Sequence, residues 1–158
     1  MSKTIVGIDP GDKHGGIAVV YEKSDGLINT FNMPPTYPDI FNLLKTLKYT
    51  SGGDIVCYLE DVGKGIPGQS SKVTANFGRH NGHLEMALYA LEIPTAKVTP
   101  AKWMKFYSNQ VGTKGNLSTT EWKNKLKGLA QTLYPSEKIT LATSDAILIA
   151  HYGKYNNK

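Results

Sequence analysis

The chain has one cysteine, Cys57, among 158 residues, so it forms no internal disulfide and no cysteine-rich zinc site. It lacks any apolar run of the ~18 residues that a membrane helix needs. Its opening, "MSKTIVGIDPG", carries no signal-peptide core. A soluble, cytoplasmic protein with no membrane contact is the expectation. No internal repeat, low-complexity tract or linker interrupts the sequence. A chain of 158 residues fills one core well but not two, so residues 1–158 are read as a single domain. Acidic residues are in the minority, 13 against 18 Lys and Arg, for a formal charge of +5 and a pI near 9.2. That surplus favours a polyanionic partner such as nucleic acid.

What is present follows a strand-then-alternation order. "TIVGI" and "GIAVVY" read as buried strands around a short Gly-rich turn, and "LINTFNM" as a third that completes a meander. "DIFNLLKTLKY" spaces Ile40, Phe41, Leu43, Leu44 and Leu47 as an amphipathic helix. "DIVCYLE" is a fourth strand, and the Gly-rich "DVGKGIPGQSS" leads into a helix around "NFGRHNGHLEMALYALEI". Its stripe Leu84, Ala87, Leu88 and Leu91 reads as core. "TAKV" is a fifth strand. Thr99 then caps a helix with Pro100 at its first position. Ser118 and Glu121 form a capping box for another helix, which ends before Pro135. The last helix is expected to begin near Thr143 and stop at Gly153. The fold class is α/β with a mixed sheet.

Three carboxylates stand where apolar elements meet loops: Asp9 after the first strand, Glu60 at the end of the fourth, and Asp145 opening the last helix. Sites in α/β sheets gather at the carboxyl ends of parallel strands. If strands one and four are neighbours, Asp9 and Glu60 come together there, and the last helix can deliver Asp145. Carboxylates so gathered repel one another unless a proton or cation intervenes. An all-oxygen set suits Mg²⁺, with Mn²⁺ as substitute, rather than zinc. Two such ions about 4 Å apart activate a water and stabilise the leaving oxygen of a phosphodiester. Each residue also has a plainer explanation. Asp9 before Pro-Gly forms turns, Asp145 in a first helical turn suits the helix dipole, and Glu60 can end a strand at the surface.

"IVGIDPGDKHGGIAVV", "CYLEDV", "NFGRHNGHLEMALYALEIPTAKVTPAKW" and "SDAILIAHYG" resemble, in order and spacing, the RuvC-like Holliday junction resolvases, most closely the short bacteriophage-type versions. The resemblance runs from about Ile5 to Tyr152. It implies an RNase H-like fold, with a five-stranded sheet, helices on both faces, and a homodimer nicking branched DNA with Mg²⁺. A phage-encoded version would act in the host cytoplasm, in DNA recombination and repair. In the family the first strand supplies an Asp, matched by Asp9, and the fourth a Glu, matched by Glu60. The last helix supplies two acidic residues (or an acidic residue and a His), of which Asp145 matches the second. The first falls on Ala142, which cannot bind a metal. Three readings stay open: another group serves, such as Thr143, Ser144 or a water; one metal is held weakly; or an Asp at 142 was changed to Ala to trap substrate uncut. The spelling "AxxDA" in place of "DxxDA" leans towards the last.

The resemblance also matches Lys123 to a lysine near the active site, where it would stabilise charge on the attacked phosphate. Its plainer reading is a solvated lysine beside Lys125 and Lys127. Lys64 and Lys72 flank the Gly-rich loop, Arg79 is read as starting the next helix, and Lys102 and Lys105 follow on another. With Tyr and Trp side chains these five form a candidate DNA-backbone groove. The loop is read as a mobile segment that enters the branch point. "GKGIPG" fits a dinucleotide fingerprint in spacing only, since it follows the wrong strand and has carboxylates beside it. Gln69 stands where a phosphate-binding P-loop needs Lys, so no nucleotide cofactor is expected. His80 and His83, three apart, are read as solvated or DNA-facing rather than as a zinc pair.

The reading is therefore a structure-selective endonuclease for four-way junctions, with Asp9, Glu60 and Asp145 as metal ligands and Lys123 beside them. It is impaired to whatever extent Ala142 costs a ligand. The alternatives are an inactive relative that binds branched DNA, and an RNase H-like nuclease acting on RNA or RNA–DNA hybrids. An actin-like ATPase shares the "DxG" hairpin but needs more chain than this.

Overall fold

The computed structural model describes residues 2–63 and 67–157. Strands β1 (Thr4–Asp9), β2 (Gly16–Tyr21) and β3 (Ile28–Asn32) form the meander, with β4 (Ile55–Glu60) and β5 (Thr95–Val98) added on the far side of β1. The order is β3-β2-β1-β4-β5. The meander is antiparallel, while β1–β4 and β4–β5 run parallel. Parallel neighbours need crossover connections. Helix α1 (Tyr37–Thr50) lies on the path from the meander to β4, and α2 (Ser71–Ala90) links β4 to β5. Four further helices follow: α3 (Pro100–Phe106), α4 (Ser108–Val111), α5 (Thr119–Leu133) and α6 (Leu141–Asn156).

Strand alternation sends side chains to two cores. Val6, Ile8, Ile17, Val19, Cys57 and Leu59 meet Ile40 and Leu44 of α1 and Leu84 and Leu88 of α2. Ile5, Ala18, Val20 and Tyr58 meet α3, α5 and α6 on the other face. Helices thus cover both faces, as expected. The residues from Ala146 to Ala150 are wholly buried. Each of Ile147, Leu148 and Ile149 contributes about 1.5–3 kcal/mol by leaving water.

Glycine sets how closely α6 approaches. A Cβ on Gly7 would run into the backbone of Ala146 and Ala150, and one on Gly16 into the Ala142 carbonyl, with Thr143 Cα at 3.2 Å. The helix backbone therefore occupies space that side chains would fill elsewhere on the sheet. On the helix itself, Gly153 lies against the Tyr58 ring.

Three helix boundaries, in two helices, differ from the sequence reading. Helix α6 begins at Leu141 and continues through Gly153 to Asn156. Gly153 is there for the Tyr58 contact and does not terminate the helix. Asp145 is thus the fifth helical residue and lies outside the first turn, where a dipole explanation would hold. Helix α2 starts at Ser71, with the Ser70 hydroxyl accepting from the Val73 N–H, so Arg79 sits mid-helix. No helix among the described residues is long and apolar enough to cross a membrane.

Gly7→Ala is expected to destabilise the protein by about 1–3 kcal/mol, the usual cost of overpacking. Urea unfolding checks this, and an unchanged midpoint would mean that the close approach of α6 is not required.

Candidate active site

The pairing of β1 with β4 runs in register from Thr4↔Ile55 to Ile8↔Leu59. The next residues, Asp9 and Glu60, end their strands side by side. By strand parity both share the face of Ile5, Gly7 and Tyr58, which is the face α6 covers. Asp145 immediately precedes Ala146, whose carbonyl lies over Gly7. The sheet register and the glycine contacts therefore bring all three carboxylates to the seam of β1, β4 and α6.

Their electrostatics follow from that seam. Burial pushes Asp9 well above the usual carboxylate range; Asp145 and Glu60 add to the push, and Lys123 opposes it. Glu60 is only 7% exposed. It is pushed up to about 7, chiefly by burial, with the Trp103 hydrogen bond pulling it down and the field of Asp145 pushing it up. Burial lifts Asp145 to about 6 against the pull of Lys123. Lys123 is exposed on α5, and its field reaches both Asp9 and Asp145. One exposed lysine beside buried Glu60 and half-buried Asp9 and Asp145 leaves a deficit of positive charge.

Hard oxygen donors facing that deficit fit a divalent cation such as Mg²⁺ or Mn²⁺. Among the described residues, no three His, Cys, Asp or Glu side chains close into a ready ligand group. The carboxyls act on one another through their fields. Position 142 offers only a methyl group. Thr143 and Ser144 are buried, and their hydroxyls are engaged in the first turns of α6. Thr143 Oγ1 accepts from the Thr140 N–H at 3.2 Å, and Ser144 Oγ donates to the Leu141 carbonyl at 3.3 Å.

The other candidates spread out. Lys72 and Arg79 are exposed on α2, which packs with α1 on one face of the sheet. Lys102 and Lys105 are exposed on α3, on the opposite face. Lys64, and with it the core of the "GKGIPG" spacing, lies outside the described residues. The tryptophans do not line a DNA groove, because Trp103 and Trp122 are 0% and 6% exposed. His80 is not solvated either. It is buried in the α2 core with Nε2 unpartnered among the described residues, and His83 packs against the Tyr37 ring at 3.7 Å.

Sequence reasoning missed the role of Trp103, whose Nε1–H donates to Glu60 Oε2 at 2.6 Å. A signal existed, since a buried indole N–H needs an acceptor and Thr99-Pro100 fixes where α3 starts.

No protein-family model and no curated protein sequence matches the chain. Solved structures do. Thermus thermophilus RuvC in complex with Holliday junction substrate superposes with a TM-score of 0.63 at 16% identity. A second Thermus thermophilus RuvC structure gives 0.58 at 15%. Each comparison covers 98% of this chain and 95% of the other. The chain thus has the RNase H-like fold of these structures.

Glu60 titrates near 7 when folded and near 4.3 when unfolded. Its stabilising contribution is complete below the unfolded value and is lost as pH rises through about 7. In chelator at pH 8, Glu60→Gln is expected to be more stable than the parent by on the order of 3–4 kcal/mol, with no difference at pH 4. Urea unfolding at the two pH values measures this; equal stability at pH 8 would contradict it.

Proposed function

We propose that the chain is a metal-dependent endonuclease that recognises branched DNA, four-way junctions above all, and hydrolyses phosphodiester bonds. The observation that carries this reading is the Asp9–Glu60 register beneath the helix that bears Asp145. The RuvC fold likeness and the basic charge of +5 support the nucleic-acid substrate.

Asp9, Glu60 and Asp145 would hold Mg²⁺, or Mn²⁺ in its place, as two ions per site. When bound, such ions supply Lewis-acid activation of water and charge stabilisation at the leaving oxygen. The chain's own residues do the rest. The three carboxyls must give up the protons that burial favours, so occupancy of the site is proton-linked and improves with rising pH. Lys123, exposed beside Asp9 and Asp145, is positioned to meet a phosphate and stabilise the charge that builds on it. Lys72 and Arg79 on one face of the sheet and Lys102 and Lys105 on the other would supply backbone contacts, as would Lys64. Recognition then rests on branch shape and phosphate spacing, and binding weakens steeply with salt.

A homodimer suits a two-fold branched substrate. Met86 and Tyr89 on α2 are 63% and 79% exposed and flank an apolar groove that also includes Leu59, Leu88 and Ile93. This exposed apolar face is where the second copy would pack. Introducing Asp at both Met86 and Tyr89 should convert a dimer to monomer in sedimentation velocity. A parent that already sediments as monomer would refute the dimer.

Ala142 favours a second reading, a relative that binds junctions without cutting them, because the hydroxyls beside it are already engaged. A gel assay separates the two. The parent and Ala142→Asp are incubated with Mg²⁺ and synthetic four-way, three-way, linear and hybrid substrates. The endonuclease reading expects junction nicking that rises at least tenfold in Ala142→Asp. Junction binding with no nicking by either protein selects the binding relative. Cleavage of the hybrid alone selects an RNase H-like activity.

A further inference from the structure

Helix α3 reaches the two carboxylate-bearing elements that flank it. It is short because Thr99 and Pro100 start it directly after β5, with the Thr99 hydroxyl accepting from the Lys102 N–H at 3.3 Å. β5 pairs in parallel with β4, Val98 lying opposite Glu60, so the first turn of α3 falls beside that carboxylate. Trp103 points inward, is fully buried, and makes the one hydrogen bond that Glu60 receives among the described residues. Its ring meets Tyr107 edge to face at 6.4 Å. The Tyr107 hydroxyl donates to the Leu148 carbonyl of α6 at 2.6 Å, three residues beyond Asp145.

We propose that Trp103 is a positioning residue for metal binding: its indole N–H holds Glu60 Oε2 so that the carboxylate presents its other oxygen to the ion. This rests on the metal-site reading above and deepens it. A carboxylate at a strand end retains side-chain rotamers that burial alone does not select. A 2.6 Å hydrogen bond to an anionic acceptor is strong and directional, and its donor is itself locked by packing against Tyr107. Outer partners of metal ligands typically change affinity 10–100-fold when removed. The loss from removing this one is therefore expected in affinity as well as in rate.

The test is Mn²⁺ binding, read by electron paramagnetic resonance of the free ion at pH 8, on the parent, Ala142→Asp, Trp103→Phe, Glu60→Gln and the Trp103→Phe/Glu60→Gln double variant. Trp103→Phe keeps an aromatic ring and removes the donor. The expected result is Mn²⁺ affinity weakened at least tenfold in Trp103→Phe, with no additional loss when that change is added to Glu60→Gln. Unchanged affinity in a folded Trp103→Phe overturns the proposal, as does a full additional loss in the double variant. A purely structural tryptophan would lower the melting temperature and leave the affinity alone. Should Trp103→Phe fail to fold, benzothienylalanine incorporated in a Trp122→Phe background removes the same N–H within the same ring outline, and the same two outcomes apply. If neither the parent nor Ala142→Asp binds Mn²⁺, the metal reading itself falls, and this inference with it.

Discussion

Helix α6 lies on the sheet with backbone where side chains would normally intervene. Gly7 and Gly16 make that contact possible, and the rest of the arrangement depends on it. A helix held further off by a single Cβ would carry Asp145 away from Asp9 and Glu60. The same contact explains why the segment from Ala146 to Ala150 is apolar on all sides. One side of it faces the strands and the others face α3 and α5, so no part of that turn reaches water.

Close packing brings an electrostatic burden. Three carboxyls lose hydration and repel one another, and Lys123 opposes the effect only from an exposed position. Three large apolar side chains of α6, at about 1.5–3 kcal/mol each, outweigh the few kcal/mol that desolvating Asp145 costs. The fold can therefore tolerate a site that favours protonated carboxyls when no cation is near. In the proposed metal-dependent reading, a divalent ion bound there would exchange those protons for a stronger positive charge. Trp103 fits this picture as the one neutral side-chain donor among the described residues that favours the charged form of Glu60.

Much of this was legible in the sequence. The meander, the parallel fourth strand and the capping residues Thr99, Ser118 and Glu121 are local signals, and each corresponds to an observed element. The meeting of Asp9, Glu60 and Asp145 follows once strands one and four are taken as neighbours. The remainder depends on tertiary contacts that spacing does not encode. Gly153 has the composition of a helix stop, yet it is required inside α6 by the Tyr58 ring. Arg79 reads as the opening of a helix because the largely polar first turns of α2 carry no clear apolar period. His80 reads as a surface residue in the sequence, whereas the pitch of α2 turns it inward. The Trp103–Glu60 bond joins residues 43 positions apart and needs the β4–β5 register to be visible.

Anomalous diffraction from crystals soaked in Mn²⁺ at pH 8 tests the central claim most directly. The account predicts an ion within about 2.0–2.3 Å of carboxylate oxygens from Asp9, Glu60 and Asp145. A saturated crystal with no anomalous peak at the seam of β1, β4 and α6, or with Mn²⁺ bound only elsewhere, would contradict it.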